Sequence, residues 1–223
     1  MKIDLLYVIK QFPIVLSYLN VTLKITILSM IFTILLSLII TIIRYYKVRI
    51  LTPIINVYID VFRGTPLLVQ LFFIYYGFAQ ISSFFRNMDA INAAILGLTL
   101  NAASYTTESM RSALEAIPKG QTEAGLSVGM TRLQVLYHVV LPQAARVAIP
   151  VLSNDFIALL KNSSMAFTLG VREIMGQATL LGNGSFKFFE AYLIVVIIYF
   201  CISKLINIGQ KKLEKYLYKQ GGS

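Results

Sequence analysis

Four polar side chains fall inside or against long apolar stretches of this 223-residue chain: Glu108, Asn154, Asp155 and Lys161. A charge at bilayer depth costs about 2.5–3.5 kcal/mol on insertion scales, so such a group usually faces a cavity or a partner. An aspartate at position 155 could attract an ammonium or a basic side chain, and Asn154 adds an amide beside it. The competing reading is an intramembrane pair of Asp155 with Lys161, which lies six residues on and is not a same-face helical neighbour. Glu108 and Arg111 are three apart and share a face, which suits either a solute contact or an interfacial ion pair. Ser163, Ser164 and Thr168 offer hydroxyls for a solute, or small side chains for close helix approach. A zwitterionic solute needs both kinds of complement. Asp155 meets its cation, and Lys161 or the free N–H groups of a broken helix meet its anion. No catalytic set accompanies these groups, because Asp155 has neither a paired carboxylate nor a serine with a base. The lone Cys201 and lone His138 form no metal cluster.

The elements that position these groups are long helices. Hydrophobic residues make up 57% of the chain and charged residues 13%, against about 25% charged in soluble domains. We therefore read an all-α integral membrane protein, a single domain over 1–223. Spans need about 20 mostly apolar residues. Five segments qualify: Ile25 to Ile43, Gly64 to Phe85, Ala90 to Thr107, Val147 to Val171, and about Phe188 to Ile208. The net charge of +10 is placed by orientation. Arg44, Lys47, Arg49 and Arg63 follow the first span, Arg111, Lys119, Arg132 and Arg146 the third, and Lys211, Lys212, Lys215 and Lys219 the fifth. These regions share one side, the cytoplasm, which leaves the N-terminus outside and the C-terminus inside. Residues 1–20 are expected along the outer interface as an amphipathic lead-in. Lys10 and Pro13 break the first apolar stretch, and no cleavage site follows. Residues 220–223 are expected to be disordered. The aromatic block Phe72, Phe73, Tyr75 and Tyr76 reads as helix packing and lipid contact, with a gate as the alternative.

One cytoplasmic loop, 118–142, is polar yet patterned for helix. Pro118 and Gly120 interrupt the preceding span. Glu123 to Val128 can form a short helix that Gly129 ends at positive φ. Thr131 and Gln134 match a capping box. Leu133, Leu136, Tyr137 and Val140 then line one face, and Pro142 is expected to limit this second helix. Such an elbow suits a docking partner, or packs back on its own membrane domain.

Glu123-Ala124-Gly125, Gly129, Val139 and Leu141-Pro142 resemble the EAA loop of bacterial ABC-importer permeases. Gly125 stands where a second alanine is usual and Val139 where isoleucine is common, both conservative in size. FRGTPLLVQLFFIYYG, from Phe62 to Gly77, is similar to the signature of permeases for polar amino acids. SYTTESMRSALEAIPKGQTEA and SNDFIALLKNSSMAF match as well, so the resemblance covers about 17–210. It implies five transmembrane helices in the methionine-permease-like fold and a cytoplasmic coupling helix, through which Glu123, Ala124, Gly125, Gly129, Leu141 and Pro142 meet an ATPase. It also implies two P-loop ATPase subunits, a second permease (self or a paralogue), an extracellular amino-acid-binding protein and the bacterial plasma membrane. No cofactor is expected on this chain. ATP and Mg belong to the partner, because no GxxxxGK[ST] occurs here. The resemblance implies import of a polar amino acid such as cystine, a basic amino acid or glutamine. SSMAFTLGVREIMGQA leans toward the cystine or basic members.

Three other classes compete. A secondary carrier or channel subunit needs no ATPase, but carriers often show internal repeats and more spans. An intramembrane enzyme needs the catalytic set already found missing. A DNA-binding helix–turn–helix wants more clustered Lys and Arg than 118–142 holds, so no nucleic acid partner is expected.

Overall fold

A computed structural model of the chain describes residues 3–220, with side-chain surroundings through Lys215. The described residues are helical and carry no strand. Helix α1 (Leu5–Leu16) is capped by the Asp4 side chain, which accepts from Tyr7 N. Helix α2 (Leu19–Tyr45) follows almost directly. Then come α3 (Leu51–Gly64), α4 (Leu67–Phe72), the short α5 (Ser83–Arg86) and α6 (Ala90–Glu115). The elbow holds α7 (Lys119–Ser127) and α8 (Arg132–Val135). Helix α9 (Leu141–Asn162) continues as a 3-10 turn to Leu169, and α10 (Ile174–Ser185) and α11 (Phe188–Gln220) close the chain.

Among the described residues, three stretches are long and apolar enough to cross a membrane: Leu19–Tyr45, Arg132–Leu169 and Phe188–Lys215. A fourth is broken, Leu51–Gly64 plus Leu67–Gln80, bent by 113°. Helix α6 has 26 residues, but much of its buried face is polar. It sits at the centre of the bundle. Ile25 and Met30 of α2, Ala94 and Leu98 of α6, Leu71 of α4 and Leu159 of α9 form the main core.

The core is threaded by hydroxyls. Thr22, Thr26, Ser29, Thr33, Ser37 and Thr41 recur every three or four residues on α2 and are all buried. Ser29, Thr33 and Ser37 donate to the carbonyls of Ile95, Thr99 and Ala103 on α6, at 3.4, 3.5 and 3.3 Å. Thr99 returns a bond to Ser29 O at 3.4 Å. Small polar side chains let two backbones approach, and each such bond contributes roughly 0.6 kcal/mol in a membrane setting.

Several expected boundaries move. The second span does not run as one helix from Gly64 to Phe85. Thr65 is extended at φ −122° and ψ 149°, as a residue before proline prefers, and Pro66 precedes the first turn of α4. The span then passes through a π-turn, Phe73–Gly77, and a 3-10 turn to Gln80. Helix α3 occupies the region read as a cytoplasmic loop. Pro142 does not limit the second elbow helix. It sits in the first turn of α9, where its missing N–H costs little, and a π-turn over Leu136–Val140 carries the helix through. The lead-in is a separate helix, α1, packed on α10 and α11 through Val15, Val8 and Phe12. Of the tail expected to be disordered, Gln220 ends α11, and residues 221–223 lie outside the described residues.

Candidate functional site

The elbow is built by local chemistry. Helix α7 ends in a Schellman arrangement: Met130 N donates to Gly125 O and Gly129 N to Leu126 O, both at 3.1 Å. That geometry needs positive φ at Gly129, which stands at +83°. Thr131 then caps α8 in a complete box, Gln134 N donating to Thr131 Oγ1 and Thr131 N to Gln134 Oε1. Gly125 is buried against Val135, and a Cβ added there would lie 2.7 Å from Val135 Cγ2. Val135 thus fills the space an alanine would take at 125. Of the expected docking residues, Glu123, Ala124, Gly129, Leu141 and Pro142 are exposed, and Gly125 instead joins the two helices. Val128, Leu133 and Tyr137 are 79%, 57% and 63% exposed, so the elbow presents apolar surface.

The second constellation surrounds the break between α3 and α4. Ending a helix and following it with proline leaves carbonyls without donors. Gln70 Nε2 supplies them, reaching Phe62 O at 2.9 Å, Thr65 O at 3.0 Å and Thr65 Oγ1 at 2.9 Å. Asn101 of α6 donates to Gln70 Oε1 at 2.9 Å and to Phe62 O at 3.3 Å. Two buried amides therefore hold the break and fix the position of Arg63. Its guanidinium lies 5.5 Å from the centroid of the Tyr105 ring, a cation–π distance. The next residue, Thr106, donates to Asp155 Oδ2 at 3.0 Å. Arg63 and Asp155 thus flank consecutive residues of α6.

The other solute candidates make contacts of their own. Asn154 is exposed and accepts from Gln210 of α11 at 3.4 Å. Lys161 is exposed and forms no ion pair among the described residues, so the Asp155–Lys161 pair does not arise. Ser164 donates to Lys161 O at 2.7 Å, a local turn bond. Glu108 is clasped between Arg44 of α2 and Arg111, the latter at 2.9 Å, which is the interfacial ion pair.

Sequence reasoning passed over Gln70, Asn101 and Glu173. Glu173 is completely buried. Its carboxylate accepts from Gly176 N at 2.8 Å, Thr22 Oγ1 at 3.3 Å and Tyr199 OH at 3.2 Å, and so ties α10 to α2 and α11. Its bond to Gly176 N is a local N-cap, but the Thr22 and Tyr199 hydroxyls come from distant parts of the chain and no local pattern marks them. The hydroxyl spacing on α2 was the one available signal.

The family model described as "Binding-protein-dependent transport system inner membrane component" matches residues 33–217. The chain belongs to this family. Among relatives of this inner membrane component, the "Probable amino-acid ABC transporter permease protein PatM" of Vibrio harveyi is 46% identical, covering 98% of each chain. The "L-cystine transport system permease protein TcyB" of Bacillus subtilis is 39% identical, over 93% of this chain and 89% of its own. The solved structure of "an amino acid ABC transporter with histidines" superposes with a TM-score of 0.90 at 33% identity, covering 97% of this chain and 100% of that one. A subunit of the MetNI methionine ABC transporter shares the fold, with a TM-score of 0.72 at 22% identity, covering 89% and 94%.

Proposed function

We infer that this chain is the membrane-spanning permease subunit of an ATP-driven importer of polar amino acids. The exposed apolar elbow carries the reading. It is held rigid by a Schellman end and a capping box, in a chain whose relatives are named as amino-acid ABC permeases. Glu123, Ala124, Gly129, Leu141 and Pro142 meet a separate ATPase, one on each of two permeases, and Gly125 sets the angle between α7 and α8. ATP and Mg bind on that partner, and an extracellular binding protein delivers the solute. Five spans result when α6 and the bent α3–α4 unit are each counted once, with the N-terminus outside and the C-terminus in the cytoplasm.

The solute is a zwitterion. In this reading Asp155 meets its ammonium or a basic side chain and Arg63 its carboxylate, which the contact of each with the central helix α6 supports. Asn154, Ser164 and Glu108 are secondary because each is held by other contacts, and Lys161 because it forms no ion pair with Asp155. The relative named for L-cystine and the structure named with histidines support cystine or a basic amino acid.

Proteoliposomes holding the permease, its ATPase and its binding protein test this. Gly129→Glu is expected to abolish uptake while ATP hydrolysis persists. Full uptake by that variant overturns the coupling role. Uphill accumulation by vesicles holding this chain alone overturns the need for an ATPase.

A further inference from the structure

Two cavities meet at the end of the bundle that carries the basic loops. The first holds about 800 Å³ between the end of α2, the start of α3 and the end of α6. Arg44, Lys47, Arg49 and Arg111 line it, with Glu115 as the acid in its wall. Glu108 and Glu115 engage only Arg44 and Arg111. Lys47 and Arg49 are exposed and form no ion pair among the described residues. Thr41, Thr52 and Thr107 also line this chamber, and their hydroxyls are buried with no hydrogen-bond partner. Lys47 stands at φ +50°, the left-handed position of a Schellman end to α2, with Lys47 N donating to Arg44 O at 3.1 Å and Val48 N to Ile43 O at 3.2 Å. That turn carries the Lys47 side chain to the rim of the chamber.

The second cavity holds about 340 Å³ and is walled chiefly by apolar side chains of α2, α6 and α9, Leu38, Ala148 and Leu152 among them. It reaches the elbow at Leu136 and Tyr137. Thr41, Tyr45 and Leu114 line both chambers. A basic, hydroxyl-bearing chamber therefore adjoins an apolar one across a three-residue wall. That juxtaposition matches one ligand chemistry, a phosphate ester joined to a hydrocarbon chain.

We propose that this cleft binds an anionic phospholipid of the cytoplasmic leaflet. The headgroup phosphate sits among Lys47, Arg49 and the Thr41 and Thr107 hydroxyls, and one acyl chain lies over Tyr45 against Ala148 and Leu152. Because Leu136 and Tyr137 form the far wall, occupancy braces the elbow from behind. The proposal requires the membrane setting but no view of the transported solute.

Native mass spectrometry of the intact, delipidated permease offered phosphatidylglycerol or phosphatidylcholine is the test. Phosphatidylglycerol is expected to be retained preferentially. Lys47→Asn, which keeps tolerance of positive φ, and Arg49→Gln should each lower that retention about fivefold, as loss of one surface cation does. Ala148→Phe should lower retention by filling the apolar chamber, at an unchanged unfolding temperature in lipid-free detergent. Equal retention of the two lipids overturns the proposal, as does a preference that survives the Lys47→Asn/Arg49→Gln pair. Displacement of phosphatidylglycerol by millimolar inorganic phosphate or glycerol phosphate shows an anion site without a chain site and overturns it too.

Discussion

At the residue scale, the pairing of Asp155 with Thr106 and of Arg63 with Tyr105 puts opposite charges beside consecutive positions of one helix. Asp155→Asn is expected to weaken uptake of a cationic amino acid at least tenfold more than that of a neutral one, as read from initial uptake rates. Equal losses on both remove the charge argument. Glu108 has a different task. It neutralises Arg44 and Arg111 at once, and its side chain is 21% exposed. Glu108→Gln leaves Arg44 without its acid while Arg111 keeps Glu115, and is expected to cost about 1–2 kcal/mol, less than the 3–5 of a fully buried pair. The unfolding midpoint in detergent reads this loss, and raised salt should recover part of it. Asp155 was legible in the sequence because a carboxylate interrupts an apolar run. Gln70 and Asn101 were not, because an uncharged amide in such a run carries no flag until the carbonyls it serves are known.

At the element scale, local chemistry was readable and tertiary chemistry was not. Gly129 and the Thr131/Gln134 box gave the elbow because a turn and a cap are decided within six residues. The existence of α2 and α11 followed from unbroken apolar runs, but not all their limits: α2 begins at Leu19, ahead of Ile25, and α11 runs past Ile208 to Gln220. Helix α10 and the bent second span escaped, since their geometry depends on Glu173, Gln70 and close contacts far off in sequence. Glycine substitutions separate these cases. A Cβ at Gly176 would stand 2.5 Å from Val171 O, a backbone atom that cannot swing aside. Gly176→Ala is therefore expected to destabilise by about 3 kcal/mol or more, at the upper end for overpacking. A Cβ at Gly129 meets nothing within 4 Å, so Gly129→Ala meets only the left-handed strain, about 1–2 kcal/mol. Gly129→Asn should be close to neutral. Thermal unfolding of the three variants ranks them, and a Gly176→Ala protein as stable as Gly129→Asn contradicts the packing account.

At the scale of the whole molecule, the two ends of the chain are joined by Asp4. Its side chain accepts from Lys187 at 2.6 Å, and its N–H donates to Glu190 of α11 at 3.0 Å. The Lys187 hydrogen bond, followed by that from Tyr7 N, holds the Asp4 carboxyl below its ordinary value of 3.8. The same bond raises Lys187 above 10.5. A depressed acid stabilises above its unfolded pKa and loses that contribution as pH falls through the lower folded value. A raised lysine contributes fully below 10.5 and loses it as pH climbs through the higher folded value. Amide exchange in α1, corrected for its intrinsic pH dependence, should be flat from about pH 5 to 9 and accelerate below about pH 4. Acceleration in the middle of that window would falsify the tether. The broad class was legible from composition alone, since 13% charge cannot coat a soluble globule. The inward-facing polarity of α6 was not, because it lowers the apolar signal of a helix at the centre of the bundle.

The hydroxyl ladder between α2 and α6 also limits how this subunit can work. Sliding one helix by a full turn, about 5.4 Å, would be needed to re-form every rung, and any smaller slip breaks them together. The two helices are therefore expected to travel as a single strut. Articulation is expected outside that strut and outside the amide-pinned break, in the long helix that carries Asp155. A cysteine staple from Ser37 to Ala103 should leave uptake running, and a stapled protein that stalls contradicts the strut.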